Sequence, residues 1–149
     1  MTPGSVARQE TAVLGAGTTQ DLVQKAVAAA DVVYAAFTAR DLDARAEMLA
    51  QVCTDDVSYS NPLGSTVGIQ PLAALFTELA AHYPGHRPTR TTGVNAHHDT
   101  IRYHWTLRDR NGQNVVDGID VVHFTPNARL TSIVTFFGQP PPIRYTYQA

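Results

Sequence analysis

The sequence predicts an α+β fold, with three helices first and an antiparallel sheet after them. Two observations predict it. Apolar residues recur at helical spacing as far as Tyr83, and from residue 87 onward they fall at every second position. The two kinds of segment are also segregated along the chain rather than alternating, which separates α+β from α/β. A third observation sets the scale. The chain has 149 residues, one domain's worth.

Residues 1–20 mix Gly, Ala, Thr and single charges, with Ala12-Val13-Leu14 as the longest apolar run. They read as a flexible leader, too weakly apolar for a signal peptide, which leaves residues 21–149 as the single domain. The first helix spans about Asp21 to Ala39. Leu22, Val23, Ala26, Val27, Ala30, Val33, Tyr34 and Phe37 form one stripe on it, and Thr18 or Thr19 can cap it. The second runs from about Leu42 to Val52, capped by Asp41. A short extended piece, Val57 to Ser60, ends in the turn signal Asn61-Pro62-Leu63-Gly64. The third helix, Ile69 to about His82, buries Ile69, Leu72, Phe76 and Leu79 with Tyr83, and Pro84-Gly85 stops it. Strands are predicted near 88–96, 99–108, 113–124 and 129–137, with hairpin turns at Asp109 to Gly112 and Pro126 to Ala128. A twisted sheet curling around helices leaves a concave face, a usual ligand site.

Composition removes several classes of function. Charged residues are 16% and the net charge is −2, so there is no basic field for nucleic acid or anionic lipid. No apolar run reaches the ~18 residues of a membrane span. Cys53 is the single cysteine, which excludes an internal disulfide framework, and it reads as a small core residue. The histidines are scattered without ligand spacing, so no metal is expected. Dinucleotide, P-loop and nucleophile-elbow motifs are absent, so no cofactor is expected. A cytoplasmic location follows as the default.

Asp120 is the most informative position. It shares a strand face with Val116, Gly118, Val122 and Phe124, where a carboxylate is costly unless paired or protonated. Desolvation there raises a carboxyl pKa, making it a hydrogen-bond donor or a stronger base. The alternative is an exposed face or an arginine partner. Asn61 either holds a ligand oxygen or makes an Asx turn. Tyr59 and Tyr34 are pocket phenols or core tyrosines. His104 is an acid or base near neutral pH, or part of a solvated face with Thr100, Arg102 and Thr106. Phe76, Trp105 and Phe137 are candidates for apolar wall.

Three stretches together resemble a known superfold: residues 35–43, residues 55–64, and Ile119-Asp120 through Phe136-Phe137-Gly138. Their order and spacing are similar to those of the nuclear-transport-factor-2-like proteins, in particular the SnoaL-like polyketide cyclases and the ketosteroid isomerases. The resemblance covers roughly Asp21 to Ile143. It implies a cone of strongly curved sheet closed by the three helices, with a pocket inside and homodimers as the usual state. It implies that Asp120 corresponds to a protonated aspartate that stabilises a dienolate. Asn61 stands where the isomerases hold their proton-shuttling aspartate. Tyr34 is one step from their oxyanion tyrosine, and Phe137 matches a pocket wall. Thr135 stands at the cyclases' catalytic aspartate. The limonene-epoxide-hydrolase branch would match at Tyr59, Asn61 and Arg102, with His104 and Thr135 in place of its two aspartates.

The expected function is a cofactor-independent isomerase or cyclase acting on a hydrophobic, polyketide- or steroid-like small molecule. Asp120, Asn61 and Tyr34 would be catalytic, and Tyr59, Phe76, His104, Trp105, Thr135 and Phe137 would bind substrate. The alternatives are epoxide opening and a non-catalytic binding module. The outer sheet face, with Ile119, Val121, Asp117 and His123, is the expected dimer contact.

Overall fold

The computed structural model describes residues 11–144. Three helices, α1 (Gln20–Phe37), α2 (Leu42–Val52) and α3 (Ile69–His82), pack on one curled sheet of eight strands. The strands are β1 (Ala12–Leu14), β2 (Cys53–Asn61), β3 (Gly64–Val67), β4 (Arg87–Arg90), β5 (Val94–His97), β6 (Thr100–Arg108), β7 (Asn114–Phe124) and β8 (Leu130–Phe137). Their order is β1-β5-β6-β7-β8-β2-β3, with β4 also paired to β6. All pairings are antiparallel except β1 with β5 and β2 with β8.

Local chemistry sets the helix ends. Thr19 caps α1, its hydroxyl accepting from the Leu22 N–H at 3.2 Å, and Asp41 caps α2, accepting from the Ala44 N–H at 2.8 Å. The Ala44 N–H is also the main reason that the Asp41 carboxyl is held below its ordinary range. Of the expected stripes, Val23, Ala26, Val27, Ala30, Val33 and Phe37 on α1 and Leu72 and Phe76 on α3 are buried, while Leu22, Tyr34, Ile69, Leu79 and Tyr83 are half-buried; Leu49 of α2 and Ala73 of α3 are buried with them.

Arg45 on α2 is buried without a carboxylate partner among the described residues. Its guanidinium donates to the Phe37 carbonyl and to Thr77 Oγ1, each at 3.2 Å. The cation thus closes the carbonyl end of α1, where the helix dipole favours positive charge. Arg45→Ala is expected to destabilise the fold by about 1–3 kcal/mol by stranding that carbonyl. Urea unfolding measures this, and an unchanged midpoint would contradict it.

Four features depart from the sequence-based expectation. Ala12–Leu14, assigned to the leader, forms β1 beside β5, while residues 1–10 of that leader lie outside the described residues. The first extended piece is longer than expected, and β3 follows its turn immediately. The strand expected at 88–96 is two strands on one partner. At the break, the Thr91 N–H donates to the His104 carbonyl and the His104 N–H donates to Thr92 Oγ1, both at 2.9 Å. A threonine side chain there replaces a backbone acceptor, so the ladder is interrupted. The helix expected to run to Ala39 ends at Phe37, with Thr38 as its C-cap.

No helix among the described residues is long and apolar enough to cross a membrane. Cys53 is buried in the core, and burial pushes its thiol up to about 12. It is therefore an unreactive packing residue.

Candidate functional site

The candidate site is built from two neighbouring rows of side chains crossing the concave face of the sheet. Alternation sends Tyr103 and Trp105 of β6, Gly118 and Asp120 of β7, and Thr135 and Phe137 of β8 to the same face. Register then aligns them. Tyr103 pairs with Asp120 and Asp120 with Thr135, and one step along, Trp105 pairs with Gly118 and Gly118 with Phe137. The first row is polar and the second is aromatic.

Asp120 is only 2% exposed and gathers three hydroxyl groups. Tyr34 Oη donates to Oδ2 at 2.6 Å, Tyr103 Oη to the same oxygen at 3.2 Å, and Thr135 Oγ1 to Oδ1 at 2.8 Å. Tyr34 arrives from α1, so a helix and three strands meet at one carboxyl. Burial raises the Asp120 pKa, and the hydrogen bonds from Tyr34, Thr135 and Tyr103 oppose that rise without cancelling it. Desolvation likewise pushes the Tyr34 and Tyr103 phenols well above their ordinary range, and the adjacent carboxylate adds to this. Tyr59 is raised mainly by burial. All three phenols therefore hold their protons through the neutral range.

Trp105 lies across Gly118. A Cβ at Gly118 would overlap the indole at Cζ2 and Cε2, so only glycine lets the ring lie there. Its edge meets Phe137, with ring centroids 6.1 Å apart and planes at 83°. Trp105 Nε1 is buried with no hydrogen-bond partner among the described residues. Its N–H nonetheless lies near enough to Asp120 to act as a weak donor that opposes the rise of that carboxyl's pKa.

Above these rows is a cavity of about 170 Å³. Tyr34, Tyr59, Phe76, Tyr103, Trp105 and Phe137 supply its aromatic wall, Leu63, Leu79, Tyr83 and Val116 are among its further lining residues, and Asp120 and Thr135 supply its polar floor. Asp120 is the only charged residue among those that line it. No group of three or more His, Cys, Asp or Glu that could hold a metal occurs among the described residues.

The structure therefore brings together Asp120, Tyr34, Tyr59, Phe76, Trp105, Thr135 and Phe137. It separates two of the expected site residues from them. His104 does not line the cavity, because it alternates to the outer face between the inward-facing Tyr103 and Trp105. Asn61 does not line it either. Its Oδ1 accepts from the Leu63 and Gly64 N–H groups at 2.8 and 3.2 Å, an Asx turn, and it reaches the site only through Nδ2, 3.4 Å from Tyr59 Oη. Tyr103 is the site residue that sequence reasoning missed. Tyr103 shares its strand face with Trp105, but what ties it to Asp120 is the pairing of β6 with β7, which no local signal marks.

Beside Tyr103 stands Arg90, on the same sheet face as its cross-strand partner Trp105, its guanidinium carbon 5.8 Å from the ring centroid and its Nε 2.9 Å from Asp31 Oδ1.

A curled, open sheet closed by three helices is the cone of the nuclear-transport-factor-2-like fold. Solved structures share it. A candidate isomerase of the SnoaL-like family from Agrobacterium tumefaciens is 25% identical, with a TM-score of 0.71 over 77% of this chain and 98% of its own. A candidate polyketide cyclase from Bacillus cereus is 15% identical, with a TM-score of 0.64 over 89% of this chain and 87% of its own. A SnoaL-like protein of unknown function from Burkholderia thailandensis is 21% identical, with a TM-score of 0.60 over 82% and 99%. No curated protein matches the sequence. The family model of the SnoaL-like domain matches residues 30–133, a span that begins within α1 and contains Tyr34, Tyr103 and Asp120. With fold, sequence pattern and cavity in agreement, the chain belongs to the SnoaL-like domain family.

Proposed function

We propose that this protein is a cofactor-independent isomerase or cyclase that moves a proton on a hydrophobic small molecule, with Asp120 as its acid/base or hydrogen-bond-donating group. The observation that carries this reading is the buried Asp120 carboxyl, held by three hydroxyls on the floor of an apolar cavity. Ionised, a carboxylate with a raised pKa is a strengthened base for a proton next to a carbonyl. Protonated, it donates to the oxygen that gains charge. Tyr34 and Tyr103 stay protonated and spread the charge that Asp120 gains or loses. Similarity to a candidate isomerase from Agrobacterium tumefaciens adds support.

The test uses cyclohex-3-enone, whose conversion to the conjugated isomer needs one proton removed from carbon 2 and one delivered to carbon 4. The electron pair passes through a dienolate, so no oxidant or reductant is needed. Faster conjugation in the presence of the protein supports the proposal. Catalysis undiminished in Asp120→Asn would sink it.

A non-catalytic binding module is the second reading. It is favoured by one observation: no second carboxyl and no His, Lys or Cys stands among the described residues that line the cavity. Epoxide opening gains no such support, because His104 and Arg102 face away from the cavity and Thr135 is not an acid.

We also propose that two copies pair through the outer sheet face. Phe136 is 56% exposed there, beside Ile119 on β7. Sedimentation should find a dimer that Phe136→Glu dissociates. A wild-type monomer at all concentrations would contradict the pairing.

A further inference from the structure

The polar inventory of the cavity limits what it can accept. Tyr34, Tyr103 and Thr135 each have one O–H proton, and each donates it to Asp120. None of the three is free to donate to a ligand while Asp120 is ionised, which leaves the Tyr59 and Tyr83 hydroxyls and the Trp105 indole as the cavity's remaining donors. Trp105 Nε1 is different. It is a donor only and buried, and although it lies toward Asp120 and lowers that carboxyl's pKa, it completes no hydrogen bond among the described residues. Trp105 itself is 8% exposed and lines the cavity. A buried donor left unpaired costs about 1–3 kcal/mol, and a ligand acceptor at this point removes that cost. Gly118 fixes the position, since any side chain there would push the indole away.

Charge and size narrow the ligand further. No Lys, Arg or His among the described residues lines the cavity, and Asp120 repels an anion, so a carboxylate substrate is disfavoured. A cationic head would meet the Asp120 carboxyl but would also face the N–H of Trp105, whose dipole repels it. An uncharged acceptor satisfies both. The cavity measures about 170 Å³. A void of about 150 Å³ lined by apolar side chains takes up a benzene-sized molecule. A single six-membered ring therefore matches that volume.

Resting on the acid/base reading above and narrowing its substrate class, we infer that the ligand presents an uncharged head of one-ring size bearing a single carbonyl oxygen, and that Trp105 Nε1 donates to that oxygen. The ring lies against Phe76 and Phe137. This places the α-carbons of the ketone beside Asp120.

Trp105 is the only tryptophan in the sequence, so its indole N–H gives a single proton–nitrogen correlation in the NMR spectrum of the labelled protein. That signal is followed during titration with cyclohexanone, methylenecyclohexane, benzoate, cyclohexylammonium and a four-ring steroid ketone. Cyclohexanone is expected to move it downfield to saturation. Methylenecyclohexane, its hydrocarbon isostere, should bind about fivefold more weakly for want of one hydrogen bond and leave the signal without a downfield shift. Benzoate, the ammonium and the steroid should not reproduce the ketone's shift. An indole signal unmoved by cyclohexanone overturns the inference, and so does a steroid or ammonium that produces the shift at lower concentration. These ligand comparisons use the wild-type chain, so they stand whether or not Trp105→Phe folds. Deuterium uptake at the α-carbons of cyclohexanone is read in parallel. A shifted indole with no accelerated uptake would leave the one-ring head standing and remove the acid/base reading. Accelerated uptake with an unmoved indole would do the reverse.

Discussion

Replacing Asp120 with asparagine is expected to lower the rate of enone conjugation by about 10²–10⁴-fold, the usual worth of a positioned acid or base. The amide is nearly isosteric and its oxygen can still accept from Tyr34 and Tyr103, so the fold should survive. Stability should change in the opposite direction to activity. Burial raises the Asp120 pKa above its ordinary value of 3.8. Below 3.8 both folded and unfolded chains carry the proton and no penalty exists. As pH rises, the unfolded chain ionises first, so the wild type loses stability until native Asp120 also ionises. Asparagine does not titrate. The melting temperature of Asp120→Asn should therefore gain on the wild type as pH rises from 3.8 through the raised pKa, and then hold steady. Melting curves across that range check it. A gap that narrows with rising pH would mean that the hydrogen bonds, not burial, dominate at this carboxyl.

Gly118→Ala should have the second-largest effect. Its backbone φ is ordinary, so the effect arises from space alone. An added Cβ would overlap the Trp105 indole and also approach the Phe136 carbonyl. The carbonyl belongs to the paired strand and cannot retreat, so the indole must swing toward the cavity. Overpacking of this kind costs about 1–3 kcal/mol. Displacing a positioning group by about 1 Å costs on the order of 10²-fold in rate. Activity should fall by about that factor while urea unfolding detects the smaller stability loss. Unchanged activity would mean that the indole position is irrelevant to the reaction.

The parts of this site that the sequence revealed are those set by alternation within one strand. Asp120 stood out because Gly118, Val122 and Phe124 share its face, and all are buried as expected. The three helices were legible because each has a long apolar stripe and a punctuated end. What was not legible depends on contacts between strands. Tyr103 belongs to the site only because it pairs with Asp120, and a register shift between Leu107 and Arg108 makes that pairing unreadable from hairpin length. β1 is three residues long and pairs in parallel with a strand some eighty residues away, so no local signal marks it. β3 reads Gly-Ser-Thr-Val, with no apolar alternation. His104 was misplaced for a different reason. Its chemistry drew attention, while its alternation with Tyr103 and Trp105 already put it on the other face.

The Tyr34, Tyr103 and Thr135 hydroxyls suggest why so few charged groups are needed here. A carboxyl with three uncharged donors can exchange its proton without rearranging a salt bridge, and the surrounding aromatics keep water from competing. Arg90 and Asp31 flank Tyr103 and are not among the residues that line the cavity.

The most direct measurement is the titration of the Asp120 side-chain carboxyl carbon by NMR in labelled protein, assigned by its loss in Asp120→Asn. A midpoint displaced upward from 3.8 is expected, because burial outweighs the three hydroxyl donors. A midpoint at or below 3.8 would contradict the account, since Asp120 would then be a structural carboxylate rather than a group able to trade a proton with a ligand.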